Sequence, residues 1–209
     1  MWGKIENKKI TKIYRYPEII KDANGTQYPK SIFQNNKRLE DFYIYSVIDK
    51  NTKPIFNELY TSTSESYTWN EKDKKIERTY NAVAKSLDDT NAKDEDGKDV
   101  KDMFGKQVIN IGIKNLLKNK VREIQSSLLA NTDKWIIRKA DTDDAVPSTV
   151  SSYRKDIRDS ATTMETAITN AKTFDAIISL LTPETNKDGT IKAPATLYNF
   201  PKEPDGMPS

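Results

Sequence analysis

The chain has 209 residues, room for one ordinary domain or two small ones. Only 35% of it is apolar, 31% is charged and the mean hydropathy is −0.78; against the ~45–50% apolar share of an ordinary globular domain, that argues against one large core. It contains no Cys and no His, which removes disulfides, thiol nucleophiles, imidazole bases and zinc sites built on those ligands, and a formal charge of +3 falls short of a strongly basic, nucleic-acid-type field.

From Trp2 to about Lys85 the apolar residues recur in short runs or with period two, as strands do. Ile10, Lys12, Tyr14 and Tyr16 share one side of an extended segment entered through a tight turn at Glu6-Asn7-Lys8. The Asn24-Gly25 pair tolerates positive φ and predicts a hairpin. The stretch 42–48, FYIYSVI, is the strongest strand signal, and Ser64 to Trp69 returns as Ile76 to Ala84 around a polar turn. Cross-strand packing accounts for most of the aromatic residues in this half, although ten tyrosines in so polar a chain also suit a binding surface. Residues 1–87 therefore read as a small, mainly antiparallel β unit.

Residues 88–99 are a block of acids with one small apolar side chain, Ala92, and predict a solvated linker. Beyond it Phe104, Val108, Ile111, Leu117, Val121, Ile124 and Leu128 fall near helical spacing, predicting a long amphipathic helix to about Ala130 that Gly105 and Gly112 weaken at its start. The +4, +3, +4 spacing from Leu117 to Leu128 also suits a short coiled-coil seam. Asn131-Thr132-Asp133 interrupts it, and residues 140–144 read as a loop. Pro147 opens a second helix with Val150, Tyr153 and Ile157 on one face, and a third helical segment runs from Met164 to Leu181. The fold class is α+β, with a helical unit over 100–182 and a proline-rich tail over 183–209 that is expected to order against something else.

Candidate chemistry is sparse. Asp94-x-Asp96 and Asp141-x-Asp143-Asp144 offer calcium-type oxygens but lack the bidentate Glu at the twelfth position. A phosphate-binding glycine loop and a nucleophile elbow are missing from the sequence, and with 31 acids a carboxylate pair for hydrolysis is always available and diagnoses nothing. Lys114, Lys118, Lys120 and Arg122 could follow phosphates, but without concentrated charge or interleaved aromatics they read more simply as a solvated helix face. Arg154 and Arg158, one turn apart, are positioned either to bridge internally to Asp133 or Asp141 or to face a partner, and the internal bridge is favoured.

Leu128-Leu129-Ala130-Asn131-Thr132-Asp133-Lys134-Trp135, then Arg138-Lys139-Ala140-Asp141, then Val146-Pro147-x-x-Val150-x-x-Tyr153-Arg154-x-x-Ile157-Arg158, resembles the C-terminal segment of bacteriophage tail-fibre assembly proteins and related phage tail proteins. The opening Met1 to Asn7 with Tyr28-Pro29-Lys30-Ser31-Ile32-Phe33 is similar to N-terminal units of marine-phage virion proteins. The chain departs from the pattern by placing Lys134 between Asp133 and Trp135 and by continuing into a further helix and tail. The resemblance implies a non-enzymatic tail-associated protein that binds fibre or baseplate subunits, as assembly chaperone or retained adaptor, in the virion tail or in the host cytoplasm during assembly. Trp135, Arg138, Tyr153, Arg154, Ile157 and Arg158 are then the candidate partner-binding residues. No cofactor and no membrane span is expected, a homo-oligomer is possible, and a nucleic-acid accessory role for the 114–122 helix is the alternative.

Overall fold

The computed structural model describes residues 1–205 and divides into two compact units, Met1–Ala84 and Lys85–Ser209. The first is β-rich and the second helical, so the chain is α+β.

In the first unit β1 (Trp2–Glu6) turns into β2 (Lys9–Tyr14) through Asn7 and Lys8, both at positive φ (52° and 62°), the geometry that matches the twist of a two-residue hairpin. A small hairpin of β3 (Ile20–Lys21) and β4 (Gln27–Tyr28) follows, then a short helical passage containing α1 (Asn36–Leu39). Strand β5 (Ile44–Asp49) starts later than expected, because Phe42 closes a 3-10 turn and Tyr43 sits in the left-handed region at φ 58°. The predicted hairpin forms as β6 (Tyr60–Asn70) and β7 (Lys75–Ala84). Strand order is β2-β1-β5-β7-β6, antiparallel except for the β5–β7 pair. The edge strands β2 and β6 approach one another, and Lys8 Nζ bonds Glu71 at 3.0 Å across the gap, so the sheet is strongly curled. A Cβ at Gly3 would run into the tip of the Ile76 side chain, which would have to swing aside. Tyr14, Ile20, Ile32, Phe33, Leu39 and Ile44 form the core, edged by Trp2, Tyr28 and Phe42. Trp2 meets Phe33 edge-on at 4.9 Å, and Tyr28 meets Phe42 at 4.8 Å, favourable aromatic geometries.

In the second unit α2 (Ile113–Ala130) and α4 (Ser148–Asn170) pack along their apolar stripes. The stripes are Ile113, Leu117 and Val121 on α2 and Val150, Tyr153, Ile157, Ala161, Met164 and Ile168 on α4, all buried and spaced by threes and fours as a packed helix face requires. The helices run antiparallel, because Leu129 near the end of α2 meets Arg154 near the start of α4 while Arg122 meets Glu165 further along. Between them lies α3 (Asp133–Thr142), a separate helix where the sequence suggested an interruption followed by a loop. The second and third predicted helical segments are largely one, α4, broken from α5 (Phe174–Leu181) only at residues 171–173.

Two expectations change here. The helix predicted from Phe104 begins at Ile113, and the acidic stretch is no unstructured linker. It is solvated, yet it belongs to a hydrogen-bonded excursion, residues 88–112, that includes β8 (Thr90–Asn91) and β9 (Ile109–Asn110). The proline-rich end also orders on its own chain: β10 (Glu184–Thr185) pairs with β11 (Ile191–Ala193), and Leu197 is buried with its N–H donating to Leu180 O at 3.0 Å. Pro208 and its neighbours at the extreme end lie outside the described residues.

Candidate interaction surfaces

The six residues singled out by sequence separate into two environments. Tyr153, Arg154 and Ile157 are buried at 4%, 7% and 0% exposure, so they are core and not a partner-facing surface. A period of three to four placed them on the packed face of α4, and that face points at α2. Burial pushes the Tyr153 hydroxyl up from its ordinary pKa, with Glu203 of the tail adding to the shift.

Arg154 makes the internal bridge. Its Nη1 donates toward Leu129 O at 2.8 Å, Thr132 Oγ1 at 2.6 Å and Asp133 Oδ1 at 2.8 Å. The guanidinium thus occupies the end of α2, where the last carbonyls have no partner within the helix, and joins it to the first residue of α3. Thr132 Oγ1 donates to the same Leu129 carbonyl at 2.9 Å. The Arg154 Nε is buried and has no hydrogen-bond partner among the described residues. Arg158 instead lies exposed and, among the described residues, donates to its own helix, the Arg154 carbonyl at 3.5 Å.

What this node holds in place is α3. Its side chains are all exposed or, like Trp135, half-buried. Ile136 and Ile137 are 43% and 61% exposed, which is unusual for β-branched apolar residues in a helix with a polar opposite face. Lys134 Nζ lies 5.6 Å from the Trp135 ring centre, a cation–π contact. Arg138 donates to Asp144 at 2.9 Å, pinning the loop that follows against the helix. That bond, together with Thr142 Oγ1, holds the Asp144 carboxyl below the usual range, the Thr142 bond being the larger cause. Trp135, Arg138, Asp144 and Ala145 line a shallow depression here.

The basic run on α2 is largely neutralised within the chain. Lys114 pairs with Asp88 at 3.1 Å, Lys120 with Glu123 at 3.0 Å, and Arg122 holds Glu165 with two bonds of 2.8 and 2.7 Å. Arg122 keeps the Glu165 carboxyl below its ordinary pKa.

Residues 88–112, which take in the acidic stretch and Asp94-x-Asp96, form a second surface. Three short ladders meet at a closed triangle of backbone bonds: Val100 N–H donates to Ala92 O, Val108 N–H to Val100 O and Ala92 N–H to Val108 O, at 2.8–2.9 Å. The neck is drawn shut where Asp89 accepts from Gly112 N at 2.8 Å and from the Asn115 side chain at 2.7 Å. Ile113 and Lys114 donate back to the carbonyls of Ser86 and Leu87, which satisfies the first N–H groups of α2.

Two of the ladders end in the same turn. In Asp94-Glu95-Asp96-Gly97-Lys98 and in Asp102-Met103-Phe104-Gly105-Lys106 the Asp carboxylate accepts two backbone N–H bonds of 2.8–3.0 Å, and the Gly takes φ of 79° and 77°, a three-residue hairpin loop with glycine in the left-handed position. Asp22-Ala23-Asn24-Gly25-Thr26 repeats this arrangement in the first unit, and Asn186 to Thr190 repeats its backbone. The Asp-x-x-Gly-Lys-x-Val spacing, repeated eight residues apart, is the signal of these turns in the sequence, and it overlaps the helical spacing of Phe104 and Val108.

The first unit carries an open cavity of about 600 Å³ beside its core, lined by Tyr14, Ile20 and Ile44 and by a charged rim of Lys4, Lys12, Lys21, Glu6, Asp22 and Asp41. Among the described residues no helix is long and apolar enough to cross a membrane. No family model, no curated protein and no solved structure matches this chain.

Proposed function

We propose that this chain is a non-catalytic, phage tail-associated protein that binds fibre or baseplate subunits, as an assembly chaperone or as an adaptor kept in the tail. The observation that carries the binding reading is α3: a rigidly footed helix whose Ile136 and Ile137 stand exposed beside a half-buried Trp135. Apolar residues in such a position lower solubility and do nothing for the chain's own core, so covering them with another protein is their physical use. The phage assignment rests on the Leu128 to Arg158 sequence pattern. Within that pattern the exposure of Ile136, Ile137 and Arg138 beside the half-buried Trp135 supports a partner-facing role for these four residues, with Arg154 as the brace. Arg158, exposed on α4, remains a candidate contact.

Co-expression with a phage tail-fibre protein tests the reading. Fibre solubility should rise with the intact chain and return to its basal level with Ile137→Asp. A fibre that behaves the same with and without the chain overturns the chaperone form. Mass spectrometry of purified particles separates the helper from the retained adaptor. The pairing of Lys114, Lys120 and Arg122 with carboxylates favours protein binding over the nucleic-acid alternative, for which unpaired cations are the main source of affinity. DNA binding at low salt that disappears on raising it would reverse that preference.

A further inference from the structure

The curled sheet of the first unit draws its edges together at one end. Lys8, just before β2, bonds Glu71, just past β6, yet no ladder joins the two edge strands among the described residues. Toward the other end lies a cavity of about 370 Å³, lined by Arg15, which follows β2, by Thr63, Glu65 and Tyr67 of β6, and by Tyr80 and Lys53 among others.

The register of β6 on β7 fixes which backbone groups face that opening. Tyr80 stands opposite Glu65, and its N–H and C=O are both taken by the Asn51 side chain on the β5 side, at 2.8 Å each. Arg78, opposite Tyr67, likewise gives its carbonyl to Lys50 N–H at 2.9 Å. Both are therefore non-hydrogen-bonded pairs of the antiparallel ladder, and the N–H and C=O groups of Glu65 and Tyr67 point away from β7. By the two-residue alternation of a strand, so do those of Thr63, opposite Ala82. Exposed edges are usually blunted by lysine, proline or a bulge. Residues 61–68, TSTSESYT, contain neither lysine nor proline, and the register irregularity at Tyr60–Ser62 comes before Thr63.

We propose that this edge binds an extended, acidic peptide segment of another protein by strand addition. The peptide main chain pairs with the outward groups of Thr63, Glu65 and Tyr67, and carboxylates on its alternate side chains meet Arg15 and Lys53. The backbone must be extended because the free groups recur every two residues. It must be acidic because of the charges left over at the opening: Glu65 lies 3.8 Å from Arg78 Nη1 and accepts from the Tyr67 hydroxyl, whereas Arg15 and Lys53 are exposed and make no ion pair among the described residues. This site belongs to the first unit and does not depend on the fibre-binding role of α3.

Fluorescence anisotropy with the full chain provides the test, the probe being a fluorescein-labelled heptapeptide of alternating glutamate and valine. It should bind saturably, and the same peptide with lysine for glutamate at least about 10-fold more weakly. Thr63→Pro removes an outward donor that the β6–β7 ladder does not use, a place where an edge strand tolerates proline. It should weaken binding about 10-fold by leaving a peptide carbonyl unpaired, with an unchanged circular dichroism spectrum. Should that variant misfold, two peptides N-methylated at the glutamate or at the valine amides make the same test on the wild type, and one of them should lose binding. Arg15→Glu with Lys53→Glu should reverse the preference, so that the lysine peptide binds better than the glutamate one. The proposal is overturned by no saturable binding up to about 1 mM, or by equal binding of the two peptides. Binding indifferent both to N-methylation and to Thr63→Pro, which is an anion site without a strand, also overturns it. So does a dimer in sedimentation velocity that Thr63→Pro dissolves while no peptide binds, because β6 then pairs with a second copy.

Discussion

The helical pair α2–α4 and the excursion that precedes it lie in one unit and are held together by different forces. Along α2 and α4 the cohesion is apolar: Ile113, Leu117, Val150, Ile157 and Ile168 are at most 1% exposed. In the excursion every side chain from 88 to 111 is exposed or half-buried, and its shape comes from a triangle of backbone bonds, Asp-capped turns and a pinched neck. A charged segment can therefore be ordered when its own polar groups satisfy the backbone, without a core to pay for it. Such order is the more easily opened, since solvent-exposed hydrogen bonds resist local unfolding weakly.

The comparison is broken most severely from the helical side. Ile157→Ala removes a fully buried side chain from the middle of the seam and is expected to cost about 3 kcal/mol of unfolding free energy in denaturant titrations. Arg154→Ala follows at about 2–3 kcal/mol, because charge-assisted bonds to Leu129, Thr132 and Asp133 are lost inside a packed site. Asp133→Ala costs less, its side chain being 52% exposed. A double-mutant cycle between Arg154 and Asp133 should show positive coupling.

Gly112→Ala acts on the excursion. A Cβ there would overlap the backbone of Asp88, so the neck must part, at an expected ~1–3 kcal/mol. Amide exchange should speed up first at Ile113 and Lys114, whose donors depend on the closed neck. The smallest effect is electrostatic. Glu165 has its pKa depressed by Arg122 in the folded chain, so the pair's contribution is present above the unfolded carboxylate pKa of ~4.3 and is lost as pH falls through the lower folded value. With Arg122 well exposed, that contribution is at most ~1 kcal/mol. Glu165→Gln should flatten the acid limb of a Tm-against-pH curve slightly and leave the neutral region nearly unchanged. Asp99, held low chiefly by Lys93, should give the excursion a parallel acid sensitivity, visible in its amide exchange.

The α2 stripe from Leu117, the Pro147 helix start, the β6–β7 hairpin and the Asn24-Gly25 turn were legible because each is a local pattern with one physical solution. The Arg154–Asp133 bridge was legible as one of two options, since an arginine beside a tyrosine on a buried margin commonly snorkels to a local carboxylate. The start of α2 was not legible: Phe104 and Val108 have helical spacing, but the Asp102 and Gly105 turn chemistry around them outweighs it.

By itself the sequence determined the composition-limited cores, the division into a β-rich and a helical half, and the periods that became α2 and α4, because propensity, hydrophobic spacing and turn residues act over a few positions at a time. Only the tertiary structure decided that Tyr153 and Ile157 face inward, that α3 is left bare beside them, and that the acidic stretch closes into a three-way junction ending in Met103 and Phe104. Those outcomes depend on which distant groups satisfy a carbonyl or cover an apolar face in the folded chain, and local sequence spacing does not record such long-range partners.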